Sequence, residues 1–454
     1  MKKLYIQTYG CQMNQYDSER ITEVMRRMEY MPTNHIETAD LVLLNTCSVR
    51  DKAEQKVYSA LGRWKQLKEQ REGMIIGVGG CVAQQEGERM LKRVRHLDLV
   101  FGTHNIHKLP EMVEAVQTLR SQPVEIDFYR DPSYMEDTVP RSYVHGSKAF
   151  VTVMQGCNKV CSFCIVPHVR GREVSRPSEK IIAEVESLVR QGVKEIMLLG
   201  QNVNSYGKTS PGEIHFAELL SRVNTIAGLK RIRFTTSHPQ DLSPELIEAF
   251  ATLEKLCEHL HLPVQSGSDS VLTRMRRGYN CKEYLQRIRL LKDRCPNIAL
   301  STDIIVGFPG ETDDEFDSTL ELLKQVEYDE IYSFIYSPRP KTVSAKLYED
   351  DIPDDFKKDR LKKVQSLQEQ ISLRKNRERI GDVEEILIDG RSKLKNGQVT
   401  GRTRSNRIVN LMGPETLVGT LACVRITGAA ANSLLGEVVT VDCDNDPYRE
   451  GELA

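Results

Sequence analysis

The sequence predicts an α/β protein in three parts: an N-terminal parallel-sheet α/β domain, a central partial (β/α)6 barrel and a small C-terminal β-barrel. Three observations predict it. Over residues 1–118 apolar runs alternate with amphipathic stretches, and strands that apolar, separated by helices, belong in a parallel sheet covered on both faces. Across residues 146–375 the alternation resumes with six strand candidates, which suits an open barrel better than a closed eightfold one. After Gly381 the pattern changes to five short strands and turns, the signature of a small barrel. The length of 454 residues agrees, being too great for one ordinary core.

Taken in order, Leu4–Tyr9 reads as a strand ending at Gly10-Cys11, followed by a helix from Asp17 to Met28 with Asp17 or Ser18 as its cap. Leu41–Cys47 is a second strand before a helix over Ala53–Glu69. Met74–Cys81 is a third before another helix, and Leu99–Gly102 is a short fourth. Residues 119–145, with Pro123, Pro132 and Pro140, read as an irregular linker. The central strands are Ala149–Met154, Glu195–Leu199, Arg231–Thr236, His259–Val264, Leu300–Val306 and Glu330–Tyr336. Phe356–Glu378 is a highly charged helix, read as a solvated connector. The last domain, 378–443, has strands at Glu384–Ile388, Gln398–Gly401, Arg407–Leu411, Leu421–Thr427 and Gly436–Val441. That pattern suggests a barrel of the oligonucleotide-binding type.

Composition bounds the function. Sixty-three basic and 64 acidic residues nearly cancel, so overall charge says nothing of a nucleic-acid partner. No apolar run is long enough to cross a bilayer, and the N-terminus enters a strand at once, so a cytoplasmic protein without a membrane partner is expected. Eleven cysteines, an odd number in a reducing compartment, are expected to ligate metal or to be buried rather than to form disulfides.

The chemistry centres on Gly156–Cys164, where Cys157, Cys161 and Cys164 have the spacing C-x3-C-x2-C behind an apolar strand. Thiolates packed so closely want a soft metal. His168 lies four residues on and leaves a Cys3His zinc knuckle open as a reading. Three ligands better suit a four-iron cluster with one iron free to chelate a small molecule. Cys11, Cys47 and Cys81 each end a separate strand. In a parallel sheet those ends share one edge, so the three thiols converge as a second iron–sulfur site, with plain burial as the alternative.

Polar clusters end the central strands: Gln201–Tyr206, Ser237-His238-Pro239, Gln265–Asp269, Thr302-Asp303 with Gly307–Gly310, and Ser337–Pro340. Five on one rim describe a cofactor and substrate cleft. From Arg391 to Arg407 the chain has Arg391, Lys393, Lys395, Arg402, Arg404 and Arg407 and no acidic residue. A phosphate-tracking surface or a solvated hairpin both explain this; without aromatic residues to stack bases, the patch would grip the backbone.

The cysteine loop, with Phe163 before its last cysteine, resembles the signature of the radical S-adenosylmethionine enzymes. The order of domains resembles the methylthiotransferases over nearly the whole chain. Tyr9–Asn14, Gly171–Pro177, Leu199–Gly207 and Arg231–Pro239 resemble the branch acting on N6-isopentenyladenosine at position 37 of tRNA. Sister branches act on threonylcarbamoyladenosine in tRNA or on an aspartate of a ribosomal protein. Lys159-Val160 and Ser162 depart from the more usual Asn-Phe and Thr, but none is a ligand.

The resemblance implies a TRAM domain at the C-terminus and two [4Fe-4S] clusters, one on Cys157, Cys161 and Cys164 and an auxiliary one on Cys11, Cys47 and Cys81. It implies two S-adenosylmethionine molecules, one giving a methyl group and one a 5′-deoxyadenosyl radical that removes the adenine C2 hydrogen. It also implies an external electron donor and sulfur source, and a tRNA anticodon stem-loop as partner. By strand-end position and resemblance, Phe163, Gln201, Ser237, Gln265, Ser266 and Asp303 are expected to contact S-adenosylmethionine, and Arg402, Arg404 and Arg407 the RNA.

Overall fold

A computed structural model describes residues 1–48, 51–136, 146–392 and 397–441. Its N-terminal strands are all parallel, in the order Tyr30–Pro32, Lys2–Tyr9, Leu41–Thr46, Ile75–Gly80, Leu99–Phe101, Val124–Glu125. Leu41–Thr46 and Ile75–Gly80 are buried at every residue, as strands covered by helices on both faces require. Side chains alternate between the two cores: Val42, Leu44, Ile76 and Val78 pack with Trp64, and Leu41, Leu43 and Ile75 with Phe101.

Two features differ from expectation here. The first helix is Gln12–Arg26, starting directly after Cys11 instead of at Asp17, which is buried in an ion pair. The expected linker supplies the edge strand Val124–Glu125: Val100 N–H donates to Pro123 O at 3.1 Å and Gly102 N–H to Glu125 O at 2.7 Å. Prolines made this stretch look irregular, yet a sheet edge tolerates them. Tyr134 and Met135 beyond it are also buried; Pro140 lies outside the described residues.

The central domain has the six expected strands, Lys148–Thr152, Glu195–Leu199, Arg231–Thr235, His259–His261, Ala299–Val306 and Glu330–Ile335. They form two three-stranded parallel sheets linked by a bridge from Ile232 to Leu256. Outward residues such as Val151, Leu198, Ile232, Leu260 and Ile304 make one core with the surrounding helices, each stabilising the fold by about 1.5–3 kcal/mol. The opposite face carries charge: Glu195 is paired with Lys148, Arg231 and Arg233. Burial would raise the Glu195 carboxyl, but those three cations hold it near about 2.

Asp354–Arg377 is not a solvated connector. Val364 and Ile371 are buried against the barrel, and so are Lys357 and Arg360, paired with Asp350 and Glu311. Long basic side chains bury their stems while the charge finds a partner, so charge density alone misreads such a helix. The last domain is a closed five-stranded barrel around Ile386, Val399, Val409 and Val424. Cys423 is disulfide-bonded, which corrects the expectation of no disulfides. An odd total does not exclude one pair, and Cys257 and Cys295 are free and buried as expected. Cys443, Lys393 and Lys395 lie outside the described residues.

Candidate functional site

Strand Lys148–Thr152 leads into Met154-Gln155, which pairs antiparallel with Val174-Ser175 and closes a loop between them. Gly156 opens the loop at φ +84°, and a Cβ there would strike the Arg172 carbonyl. Only glycine lets the chain pass so close. Gly156 N–H donates to Gln201 Oε1 at 2.6 Å and Cys157 N–H to Gly171 O at 3.2 Å. Ser162 pins the middle of the loop. Its N–H reaches Met275 O at 2.9 Å, its hydroxyl Arg274 O at 2.8 Å, and its carbonyl accepts from Ser344 N–H at 2.8 Å.

The three thiols of this loop are half-buried. Lys159 N–H donates to Cys157 Sγ at 3.4 Å, and Arg277 Nη1 to Cys161 Sγ at 3.2 Å. Burial first, and then neighbouring thiolate charge, pushes Cys157 and Cys164 up to about 12. Thiols that repel one another's ionised forms and accept N–H donors fit a polycationic, thiophilic group, which reverses the local charge. Among the described residues, no group of three His, Cys, Asp or Glu is set to hold one ion; a four-iron cluster takes each thiolate to a different iron. His168 is exposed on the turn Val166–Val169 near Lys341 and Lys346.

Around the loop lie buried polar atoms without hydrogen bonds: Asn202 Oδ1, Ser237 Oγ and His238 Nε2. Such groups ask for a polar ligand or water. Burial, then Arg277 and Lys159, pushes His238 down to about 2, so its ring is neutral. Asp241 ties the rim to the cysteine loop, bonded to Asn202 Nδ2 and Lys159 Nζ, each at 2.8 Å. Gln265 has φ +81°, backbone strain that belongs to functional rims. Asp303 is partly exposed, 3.6 Å from His261 Nε2. Two expected contacts point elsewhere. Ser266 bonds Thr319 at 3.3 Å, and Phe163 packs against Val271, Met275, Phe308 and Tyr336.

The second set is assembled across the sheet edge. Cys11 precedes helix Gln12–Arg26, Cys47 follows strand Leu41–Thr46 and Cys81 starts helix Cys81–Glu86. Three residues that the sequence reading passed over hold these ends together. Asn14 Nδ2 donates to Asn45 Oδ1 at 3.1 Å and Thr46 O at 3.0 Å; Asn45 Nδ2 returns a bond to Asn14 O at 2.8 Å. Thr46 Oγ1 donates to Gly79 O at 2.6 Å and accepts from Val82 N–H at 3.2 Å. Cys11, exposed at the sheet edge, is drawn down to about 6, chiefly by a hydrogen bond with Cys47 and then by the Arg170 guanidinium. Burial raises Cys81, with Arg170 and Cys11 acting on it in opposite senses.

One short segment joins the two sets. Beyond Cys164, Ile165 and Val169 pack on Cys81, and Arg170 Nη2 donates to Asp17 Oδ2 at 2.7 Å. The signal for these second-set partners was their neighbourhood: Asn14, Asn45 and Thr46 each lie within three residues of a predicted cysteine.

The three arginines expected to meet RNA are partnered within the protein. Arg404 bonds both oxygens of Glu258 and the carbonyls of Glu254 and Leu256. Arg407 pairs with Asp329 and reaches Asn376 Oδ1 at 3.1 Å. Arg402 bonds locally, to Asn406 O at 3.0 Å. In return Arg231 donates to the carbonyls of Glu385 and Arg402, and Arg233 to those of Thr403 and Arg404, at 2.6–2.9 Å. The basic hairpin is thus the joint between the last two domains, a role that a charge count does not reveal.

Three family models match: Uncharacterized protein family UPF0004 over residues 3–102, the Radical SAM superfamily over 151–323 and the TRAM domain over 377–439. Relatives called tRNA-2-methylthio-N(6)-dimethylallyladenosine synthase are similar over almost the whole length. The Geobacter sulfurreducens protein is 51% identical, covering 97% of this chain and 98% of its own. The Syntrophotalea carbinolica protein is 52% identical over 97% and 100%, and that of Francisella tularensis subsp. novicida 48% over 96% and 99%. Among solved structures, the radical S-adenosylmethionine methyltransferase TsrM from Kitasatospora setae, with cobalamin and a [4Fe-4S] cluster bound, superposes with a TM-score of 0.55. It is 13% identical, over 76% of this chain and 77% of its own. The cobalamin-dependent radical enzyme OxsB gives 0.52 at 13% identity, over 80% and 56%. Both likenesses concern the fold alone.

Proposed function

We propose how a chain that belongs to the tRNA-2-methylthio-N(6)-dimethylallyladenosine synthase family carries out the reaction named there. It is a tRNA-modifying radical S-adenosylmethionine methylthiotransferase: it converts N6-dimethylallyladenosine (N6-isopentenyladenosine) in tRNA to the 2-methylthio derivative. The single observation behind the assignment of residues is that two three-cysteine sets lie at strand ends and are joined through Ile165–Arg170.

The C2–H of adenine is neither acidic nor electrophilic, so a general base gains little there. A four-iron cluster with S-adenosylmethionine, when bound, supplies the one-electron chemistry that opens such a bond. Cys157, Cys161 and Cys164 would hold that cluster, with Arg277 and the Lys159 amide donating to its sulfur ligands. Asn202, Ser237 and neutral His238 offer buried polar atoms to S-adenosylmethionine, and Gln201 keeps the loop entrance fixed. Gln265 and Asp303 line the same rim. Cys11, Cys47 and Cys81 would hold a second cluster and with it the sulfur to be transferred. The base, at position 37 beside the anticodon, must be splayed from its loop to enter the cleft. Arg404 and Arg407 pair with Glu258 and Asp329 of the central domain; Arg402, bonded to Asn406 within the small barrel, is the one assigned here to the RNA backbone. The reaction takes two S-adenosylmethionine molecules, an external electron donor and a sulfur source, and belongs in the cytoplasm. No helix among the described residues is long and apolar enough to cross a membrane.

Anaerobically reconstituted protein, given S-adenosylmethionine and reductant, is tested by mass spectrometry of nucleosides from two tRNA pools. One carries isopentenyladenosine at position 37 and the other threonylcarbamoyladenosine. Methylthio product in the first pool alone is expected. Product in the second alone would move the substrate to the sister branch.

A further inference from the structure

We propose that Arg170 is a positioning residue for the second thiol set: supplied by the central domain, its guanidinium donates to sulfur at the Cys11–Cys47–Cys81 centre and compensates the charge held there. The proposal rests on the two-cluster reading above. Arg170 is almost wholly buried, with 3% of its side chain exposed. One edge of the guanidinium is fixed, Nη2 donating to Asp17 Oδ2 at 2.7 Å. Nη1 is buried and makes no hydrogen bond. Val169, the residue before Arg170, packs on Cys81, and Asp17, which holds the other edge of the guanidinium, stands on the helix that follows Cys11, so its free donors lie on the side of the thiols.

The backbone around Arg170 is equally fixed. Its carbonyl accepts from His104 Nε2 at 2.8 Å, and Val169 O from Thr103 Oγ1 at 2.8 Å. Both partners belong to the N-terminal domain, so the arginine enters that domain as an inserted finger. A buried guanidinium stays charged and has five N–H donors in a rigid fork. Leaving donors unmet in an apolar setting is costly, and here that setting includes Ile165 and Val169. Three thiolates on a cluster bring the missing acceptors and a net negative charge. Donors and positive charge beside cluster sulfurs raise the reduction potential. Asp17 then sets the orientation of the fork, and the central domain gains a direct hold on the centre in its neighbour.

The test uses the full chain in a Cys157→Ala, Cys161→Ala, Cys164→Ala background, where only the second set can hold a cluster. Iron and sulfide are counted, and the midpoint potential is followed by electron paramagnetic resonance. Arg170→Gln is expected to shift the potential to more negative values. Arg170→Lys, which keeps the charge without the fork, is expected to fold and shift it less. With the first set intact, Arg170→Gln is expected to lower methylthio product about ten- to a hundredfold while 5′-deoxyadenosine continues to form. A triple-alanine background that binds no iron overturns the two-cluster reading and this proposal with it. An iron-loaded background whose potential neither variant moves overturns the role of Arg170 alone.

Discussion

The two cysteine sets reach similar donor chemistry by opposite routes. Cys157, Cys161 and Cys164 are neighbours along the chain, and the fold's task is to brace one loop, through Ser162, Gly156 and Gln201. Cys11, Cys47 and Cys81 are strangers in sequence, brought together by the register of three parallel strands and a net of Asn14, Asn45 and Thr46. The charge environments differ too. The loop thiols are pushed up by burial, while Cys11 is drawn down by Cys47 and Arg170. A local site depends on its loop, whereas an assembled one depends on the sheet beneath it.

The largest effect should come from removing ligands. Alanine at Cys157, Cys161 or Cys164 is expected to abolish both 5′-deoxyadenosine and methylthio product. Alanine at Cys11, Cys47 or Cys81 should abolish the methylthio product and leave 5′-deoxyadenosine. Product retained in the second group, read by nucleoside mass spectrometry, would erase the distinction between the sets.

Asn45→Ala sharpens it. The change removes donors to Asn14 O and to Ser18 Oγ at 2.9 Å, costing about 1–3 kcal/mol of stability. Iron analysis should show the second set depleted and the first intact, with denaturant titration giving the loss of stability. Ser162→Ala is the converse and smaller: it deletes one hydrogen bond to Arg274 O, worth about 1 kcal/mol. It should slow S-adenosylmethionine cleavage modestly while iron on the second set is unchanged.

The smallest effect on the two sets comes from a change that touches neither. Glu195 has its carboxyl held near about 2 against an ordinary 4.5, so its stabilising share is complete above 4.5 and is lost as pH falls toward 2. Thermal melts should show Glu195→Gln already destabilised at pH 6 and losing less than the parent between pH 4.5 and 3. Equal losses in the two proteins would remove Glu195 from the acid response.

What could be read in advance follows the same division. Contiguous signals were legible: the cysteine loop, the six central strands and the five strands of the small barrel lie where their apolar runs put them. The convergence of the other thiols was legible because strand ends in a parallel sheet share an edge. Pairings between distant residues were not. Asp17 looked like a helix cap and is an ion-pair partner of Arg170. Val124-Glu125 looked like a linker and is a sheet edge. Arg404 and Arg407 looked like a phosphate grip and bind Glu258 and Asp329. In each case the partner lies on another element, and composition carries no information about which.

The bonds from Arg231 and Arg233 to the backbone of residues 402–404 have a metric consequence. They tie the small barrel to the charged face of the central strands. The span between wherever it touches the nucleic acid and the cleft is constant, so the two domains act as callipers. If the barrel grips the RNA backbone as proposed above, the adenosine is chosen by distance along a folded RNA as well as by the groups on the base, and lengthening the hairpin would move the jaw.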